Sequence, residues 1–276
     1  MKRVLTALIL VPLVLVLVFL GPRWHGLFVA AIALVAALAG WEYLGLAQSR
    51  GAKPPRIAVA VALILLFAGN FEWPESTPAI FGALNLGLLI LCTFRGPVEQ
   101  VMADASASIF CMFYLGSTLL ALPTLHEQAN GASLVAFLLC VVWAGDTAAL
   151  YIGRSWGRHK LAPRLSPGKS WEGSIASVAG SLIAAGLLLA LANYLQAHDS
   201  ALLSFPDDTW YWLVLAVVVN IAAQVGDLVE SAIKRSAGVK DSGSLLPGHG
   251  GVLDRIDALL LAAPALWYAQ VIHQAF

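Results

Sequence analysis

The amino-acid sequence predicts an all-α, polytopic integral membrane protein with about nine transmembrane helices. Of the 276 residues, 59% are hydrophobic and only 12% are charged, whereas soluble domains carry about 25% charged residues. Apolar stretches long enough to cross a bilayer as helices recur along the chain, and the period-2 alternation of a membrane β-barrel is missing. The 16 basic and 16 acidic residues cancel, so no basic excess supports nucleic-acid binding.

The predicted spans are apolar runs near the length of about 20 residues that crosses a hydrocarbon core. They lie near residues 4–20, 27–47, 57–69, 78–94, 105–122, 132–151, 173–195, 210–230 and 256–275. The third run is shorter than the others. The first run starts with Lys2 and Arg3, as a secretory signal does, but no cleavage motif of small residues follows it. We therefore expect an uncleaved first span.

Basic residues predict the orientation of the chain in the membrane. If the N-terminus is cytoplasmic, nine spans place every lysine and arginine except Arg23 in cytoplasmic segments, as the positive-inside rule requires. Tryptophans fall at the predicted outer ends of the helices, where amphipathic rings anchor membrane proteins. They are Trp24, Trp73, Trp210 and Trp212.

Charge is concentrated in the second half of the chain. Residues 146–172 and 227–257 together hold half of the charged residues. We therefore predict N-terminal scaffold helices in residues 1–130 and C-terminal helices with the catalytic motifs in residues 131–276, within a single membrane-embedded unit.

The first polar cluster surrounds the end of the eighth predicted span. Four residues are spaced to lie along one side of this helix: Asp227, Glu230, Ser231 and Lys234. A carboxylate inside a span is costly, so Asp227 indicates a functional site. The glycine-rich segment that follows can bring its backbone close to a ligand. It contains Gly248, His249, Gly250 and Gly251.

Two carboxylates of this cluster are candidate metal ligands. Asp227 and Asp254, on adjacent predicted helices, would together bind a hard cation such as Mg²⁺, which keeps its other positions for phosphate oxygens. The residue types leave two other interpretations open: an ion or proton pathway, and helix-end charges that interact with the helix dipole. The basic residues that would hold phosphates are Lys234, Arg235, Lys240 and Arg255.

The second polar cluster covers residues 143–174. Asp146 lies inside the sixth predicted span and needs a partner there. The basic loop after it contains SPGKS, but Pro163 replaces the first glycine of a phosphate-binding loop and no strand is expected before it. We expect only that Ser166, Lys169 and Ser170 contact phosphate at the start of a helix.

The rest of the sequence contains few candidate sites. Glu42 lies near an inner helix end and is interpreted as an interfacial anchor. The HExxH spacing of zinc hydrolases and the GxSxG motif of serine hydrolases are both missing from the sequence.

Residues 231–257 resemble the signature of the phosphatidate cytidylyltransferases, also called CDP-diacylglycerol synthases. The signature runs S-x-apolar-K-R-x4-K-D, then P-x-H-G-G, then D-R-apolar-D, and the chain meets every fixed position. The matching residues are Ser231, Lys234, Arg235, Lys240, Asp241, Pro247, His249, Gly250, Gly251, Asp254, Arg255 and Asp257. The upstream GDTAALYIGR and SPGKSWEG stretches are similar to the family too.

The resemblance implies a homodimeric enzyme of the cell inner membrane that condenses CTP with phosphatidic acid to CDP-diacylglycerol and pyrophosphate. It implies that Asp227 and Asp254 bind Mg²⁺, with Asp146 as a further candidate and a monovalent cation such as K⁺ as a companion. The candidate catalytic residues are Asp227, Asp254, Lys234, Arg235, Lys240, Asp241, His249, Arg255 and Asp257. The candidate substrate-binding residues are Ser166, Lys169, Ser170, Ser231, Gly248, Gly250 and Gly251.

Other functions compete with this one. A CTP-dependent polyprenol or phytol kinase shares some of these motifs but transfers the γ-phosphate to an alcohol. A secondary transporter would use Asp146 and Asp227 as coupling-ion sites, although the inverted repeats that would support it are not evident. A purely structural membrane scaffold would leave the intramembrane acids without a role.

Overall fold

The structure, a computed structural model, describes residues 2–243, 245 and 250–275. Helices are the expected form, because a segment inside a bilayer must satisfy its own backbone hydrogen bonds. The α-helices are α1 (Lys2–Phe19), α2 (His25–Ser49), α3 (Arg56–Glu72), α4 (Thr77–Arg95), α5 (Val98–Cys111), α6 (Ala121–His126), α7 (Gly131–Trp156), α8 (Trp171–Ala197), α9 (Thr209–Ser236), α10 (Leu253–Ile256) and α11 (Leu259–Ala275). A π-helical segment, Met112–Ser117, follows α5. Strands β1 (Lys160–Ala162) and β2 (Ser166–Ser170) form an antiparallel pair.

Seven helical segments of the described chain are long and apolar enough to cross a membrane. They are His25–Ser49, Pro74–Arg95, Val98–His126, Gly131–Trp156, Trp171–Ala197, Thr209–Ser236 and Leu253–Ala275. The protein is therefore an all-α polytopic membrane protein, as the sequence predicts. The other two predicted spans, near 4–20 and 57–69, form α1 and α3, which are 18 and 17 residues long and are not among the seven. The predicted number of nine is not confirmed.

The chain divides into two compact units, and the first contains Met1–Pro123 and Ile233–Ile256. Within it α2 packs along α3, and the start of α10 lies against α2. Leu63, Leu66 and Phe67 of α3 are fully buried in this core. Gly40 allows the close approach, because a Cβ there would lie 2.8 Å from the Leu63 side chain.

The second unit contains Thr124–Ala232 and Asp257–Phe276. Its main contact is between α7 and α8, through the small residues that allow membrane helices to approach closely. A Cβ on Gly180 would lie 2.6 Å from that of Ala148. The predicted division of the chain at residue 130 stays a prediction.

An aromatic cluster in the second unit corrects one expectation. Trp212 is fully buried, and its ring centroid lies 5.3 Å from that of Phe137 and 4.9 Å from that of Phe205. It is therefore a core residue rather than an exposed interfacial anchor. The other three tryptophans of this prediction are exposed, as interfacial anchors must be: Trp24, Trp73 and Trp210.

Hydrogen bonds between side chains link α7, α8 and α9 in the second unit. The Asn220 carboxamide nitrogen donates to the hydroxyls of Ser177 (2.9 Å) and Ser181 (2.7 Å). The Ser181 hydroxyl donates to the Val141 carbonyl oxygen on α7 (2.7 Å). Gln224 extends the row by donating to the Asn220 carboxamide oxygen (2.6 Å). A satisfied network of this kind fixes the positions of apolar helices relative to one another.

Gly145 on α7 is expected to be essential for this packing. A Cβ at Gly145 would clash with the Asn220 carboxamide and lie 2.7 Å from the Ser181 hydroxyl. We expect Gly145→Ala to destabilise the protein by about 1–3 kcal/mol, as overpacking does, and to lower its apparent melting temperature in detergent.

Gly186→Ala is the matched control. Gly186 lies in α8 and has open space where a Cβ would be. Alanine is the better helix former, so the melting temperature should stay constant or rise. Equal melting temperatures for the two variants would contradict the tight packing of α7.

Candidate active site

A cavity of about 410 Å³ lies in the second unit. One face of α7, the start of α8, strand β2 and one turn of α9 line it. Asp146 and Arg154 of α7 lie eight residues apart, close to two helical turns, and therefore project on the same side of the helix. The other polar residues of its wall include Lys169, Ser170, Gln224 and Asp227. The structure thus brings Asp227 of the first predicted cluster to one cavity with Asp146, Lys169 and Ser170 of the second.

The charges of this cavity are of both signs. Lys169 Nζ lies 2.6 Å from Asp227 Oδ2, and the Ser231 hydroxyl donates to Asp227 Oδ1 over 3.4 Å. The Asp227 side chain is 35% exposed, so it remains accessible to a ligand. Asp146 adds a second carboxylate and Arg154 a second cation. A cavity with this composition suits a ligand that carries both phosphates and a metal ion.

The hairpin before α8 was missed by the sequence analysis, which expected no strand there. Strands β1 and β2 pair Lys160 with Ser170 and Ala162 with Ser166. Ser170 also caps α8, because its hydroxyl accepts the Gly173 backbone N–H over 3.2 Å. Lys169 and Ser170 therefore do lie at the start of a helix, whereas Ser166 begins β2 and is not part of the cavity wall.

Asp254 lies in the first unit and is almost fully enclosed. Its side chain is 7% exposed. Lys234 Nζ lies 2.5 Å from Oδ1, and the backbone N–H groups of Ser242 (3.0 Å) and Gly251 (2.8 Å) donate to Oδ2. Gly250 has a φ of +78°, and a Cβ there would lie 2.6 Å from Oδ2. Only glycine fits this position without strain.

Glu42 contacts Ser242, which also donates to Asp254, and is not the interfacial anchor that the sequence predicts. It is 5% exposed. Its carboxylate accepts hydrogen bonds from the Ser242 hydroxyl (3.0 Å) and from the backbone N–H groups of Val252 (3.0 Å) and Leu253 (2.9 Å). The only signal in the sequence was a carboxylate inside an apolar helix.

The remaining predicted site residues are spread over the surface or lie outside the described residues. In the first unit, four of them are exposed: Arg235, Lys240, Asp241 and Arg255. In the second unit, the Asp257 carboxylate accepts the backbone N–H of Ala258 (2.8 Å). Gly248 and His249 are not among the described residues, so their roles stay predictions.

The carboxylates of the cavity fit a divalent cation of the Mg²⁺ type. Among the described residues, no group of three or more His, Cys, Asp or Glu side chains could enclose a metal ion. Mg²⁺ at phosphoryl-transfer sites uses one or two carboxylates and takes its other ligands from water and substrate phosphates. Asp146 and Asp227, which line one cavity with Lys169 and Arg154, are such a donor set.

Comparison with known proteins identifies the family. The model of the cytidylyltransferase family matches residues 1–273. The chain belongs to this family. Its members are nucleotidyltransferases, which confirms the class of enzyme that the signature in residues 231–257 predicts.

Similar proteins cover nearly the whole chain. A phosphatidate cytidylyltransferase of Haemophilus influenzae is 33% identical over 97% of this chain and 97% of its own length. A protein of the same name from Brucella suis is 35% identical over 96% of this chain and 91% of its own. The uncharacterized protein YnbB of Escherichia coli is 37% identical over 91% of this chain and 81% of its own.

We expect the buried pair of Lys234 and Asp254 to be important for stability. Lys234→Met leaves the Asp254 carboxylate enclosed without its cation, and breaking a buried pair in this way costs about 3–5 kcal/mol. The apparent melting temperature of the purified protein should fall clearly.

The neighbouring Arg235→Met is the control. Arg235 is exposed, and a substitution at such a position changes stability by only about 0.5 kcal/mol. If Lys234→Met melted at the same temperature as Arg235→Met, the ion pair with Asp254 would not contribute to the fold.

Proposed function

We propose that this chain is a phosphatidate cytidylyltransferase, which condenses CTP with phosphatidic acid to CDP-diacylglycerol and pyrophosphate in phospholipid biosynthesis. The observation that carries the proposal is a single cavity with two carboxylates, Asp146 and Asp227, beside two cations, Arg154 and Lys169. The names of the Haemophilus and Brucella relatives support the same activity.

The reaction needs alignment and charge neutralisation rather than a protein nucleophile. A phosphate oxygen of phosphatidic acid attacks the α-phosphorus of CTP, and the bond from that phosphorus to the pyrophosphate oxygen breaks. The lipid supplies the nucleophile, so a catalytic Ser or Cys is unnecessary. Two anionic substrates must be held in line while charge develops on the leaving pyrophosphate.

The basic residues of the cavity would bind the phosphates. The Lys169 ammonium group can leave Asp227 and bind a nucleotide phosphate. The planar guanidinium group of Arg154 can donate two hydrogen bonds to phosphate oxygens. The first turn of α8 opens on the same cavity through Ser170 and Gly173, and backbone N–H groups at a helix start bind anions.

The carboxylates of the cavity would bind Mg²⁺. Asp227 and Asp146 are the proposed ligands from this cavity, and Asp254 keeps the role of metal ligand that the family signature predicts. When bound, the ion neutralises charge on the phosphates that the reaction brings together. A monovalent cation such as K⁺ is proposed as its companion on the basis of the family resemblance.

The proposed location is the cell inner membrane, with the N-terminus and the active-site loops in the cytoplasm. With the nine predicted spans, the distribution of basic residues supports this orientation by the positive-inside rule, and CTP would reach the site from the cytoplasm. The family resemblance also supports a homodimer.

Labelled CTP tests the reaction directly. Purified protein receives phosphatidic acid, Mg²⁺ and CTP labelled separately on the α- and γ-phosphates. We expect α-label in the lipid product and γ-label in released pyrophosphate. Transfer of γ-label to an added polyprenol would instead show a lipid kinase, and absence of turnover with either acceptor would overturn the proposed enzyme.

Substitutions in the cavity test the residues. Asp227→Asn removes a ligand charge and should lower kcat on the order of 100-fold, the scale of a lost electrostatic contact at the reacting centre. Lys169→Met should lower kcat/KM for CTP about tenfold or more, since a charge-assisted phosphate contact is lost.

Lys160→Met is the control for Lys169→Met. Lys160 lies in the same hairpin, but its side chain is exposed and is not part of the cavity wall. The kcat/KM of Lys160→Met for CTP should stay within twofold of that of the unchanged protein. Equal losses in the two lysine variants would point to general attraction of CTP by the basic loop rather than a specific contact.

A further inference from the structure

Glu42 and Asp254 share the donors of one segment, of which the structure describes residues 242–243, 245 and 250–253. Ser242 donates its backbone N–H to Asp254 and its hydroxyl to Glu42. The backbone N–H of Gly251 goes to Asp254, whereas the next two, of Val252 and Leu253, go to Glu42. Movement of the segment away from Glu42 would therefore also displace the donors that orient Asp254.

The glycines of the segment bring its backbone against the Glu42 carboxylate. A Cβ on Gly243 would lie 2.6 Å from Glu42 Oε1, and a Cβ on Gly251 would clash with both the Ser242 hydroxyl and the Glu42 carboxylate. The sequence suggested that this glycine-rich run lets the backbone approach a ligand. At these two positions the group approached is a side chain of α2.

A hydrophobic residue could not replace Glu42. Among the groups that face position 42 are one hydroxyl and two backbone N–H groups, and a buried donor without an acceptor is destabilising. The carboxylate is also distant in sequence from the segment it holds, by about 200 residues. It therefore ties the N-terminal helices to the segment that ends at Asp254.

We propose that Glu42 is a positioning residue for the cytidylyltransferase reaction: its carboxylate holds Ser242, Val252 and Leu253 in place and thereby sets the orientation of Asp254. This inference rests on the proposed function, because Asp254 acts there as a metal ligand. Glu42 itself contacts the segment rather than the substrates.

The first test compares Glu42→Gln with a matched buried carboxylate. Gln has the same shape, but its amide nitrogen cannot accept a hydrogen bond, so at least one donor of the segment loses its acceptor. Asp104→Asn is the control, because Asp104 is also buried, in the same unit, and accepts the backbone N–H of Lys53. It makes no hydrogen bond to residues 242–253 among those described.

Hydrogen exchange is the readout that does not depend on activity. In Glu42→Gln, the amides of Val252 and Leu253 should exchange at least tenfold faster than in the unchanged protein, whereas Asp104→Asn should leave them unchanged. Unchanged exchange in Glu42→Gln would overturn the inference, even if the protein made CDP-diacylglycerol as proposed.

The kinetic readout separates positioning from general destabilisation. At saturating CTP, Mg²⁺ and phosphatidic acid, Glu42→Gln should lower kcat at least tenfold with less than a twofold change in KM for CTP, and Glu42→Asp should recover part of kcat. Faster exchange with an unchanged kcat would limit Glu42 to a structural role. If the unchanged protein forms no α-labelled lipid, the proposed function fails, and hydrogen exchange still decides whether Glu42 holds the segment.

Ser242→Ala covers the case in which Glu42→Gln does not fold. It removes the hydroxyl donor but keeps the backbone N–H to Asp254. We expect a smaller loss of kcat than in Glu42→Gln, with faster exchange at Leu253. Where Ser242→Ala and Glu42→Gln both fold, the fold-decrease in kcat of the double variant should be smaller than the product of the two single decreases. Both substitutions act through one contact. Independent losses would overturn the shared role.

Discussion

Enclosing a carboxylate among apolar helices is the constraint on which the rest of this structure depends. An ionised group that leaves water loses its hydration, and only hydrogen bonds or a cation can compensate. Asp254 has Lys234 and two backbone N–H groups, and Glu42 has a hydroxyl and two backbone N–H groups. The donors come largely from irregular backbone. The buried acids thus hold Ser242 and residues 251–253 in place, since a backbone donor enclosed away from water needs an acceptor.

Small residues are the second requirement of this arrangement. Polar groups on different helices meet only where the backbones come close, and that approach needs positions without side chains. Gly145 provides it for Asn220 and the serines of α8, and Gly226 lets the Asp257 carbonyl pass beside α9. Gly250 does the same for Asp254 and adds a backbone conformation that other residues resist. These three glycines therefore lie at polar contacts.

The sequence predicts the helices well because long apolar runs carry their own signal. It does not predict the hairpin before α8, because strands of three and five residues are too short to show a clear alternation of apolar and polar residues. Asp146, Lys169 and Asp227 could be selected as candidates from charge inside or beside apolar runs, but only the fold brings them to one cavity. Glu42 was misinterpreted because its partner Ser242 is far away in sequence. Trp212 was misinterpreted because burial against Phe137, on another helix, adds to its contact with the nearby Phe205. Nothing in the residues next to them indicates such contacts.

The ion pairs explain how an apolar protein can hold charged side chains among its helices before highly charged substrates bind. Lys169 pairs with Asp227 in one unit, and Lys234 pairs with Asp254 in the other. Neither pair therefore leaves an uncompensated charge among the helices. In the proposed reaction a nucleotide with Mg²⁺ would carry both signs, and Lys169 and Asp227 would offer it a cation for a phosphate and a carboxylate for the metal. Exchange of one pairing for another keeps the local charge nearly constant, and the cost of desolvation stays low. Under the proposed function, a nucleotide without Mg²⁺ would leave Asp227 without a cation, so this cavity would favour the two together.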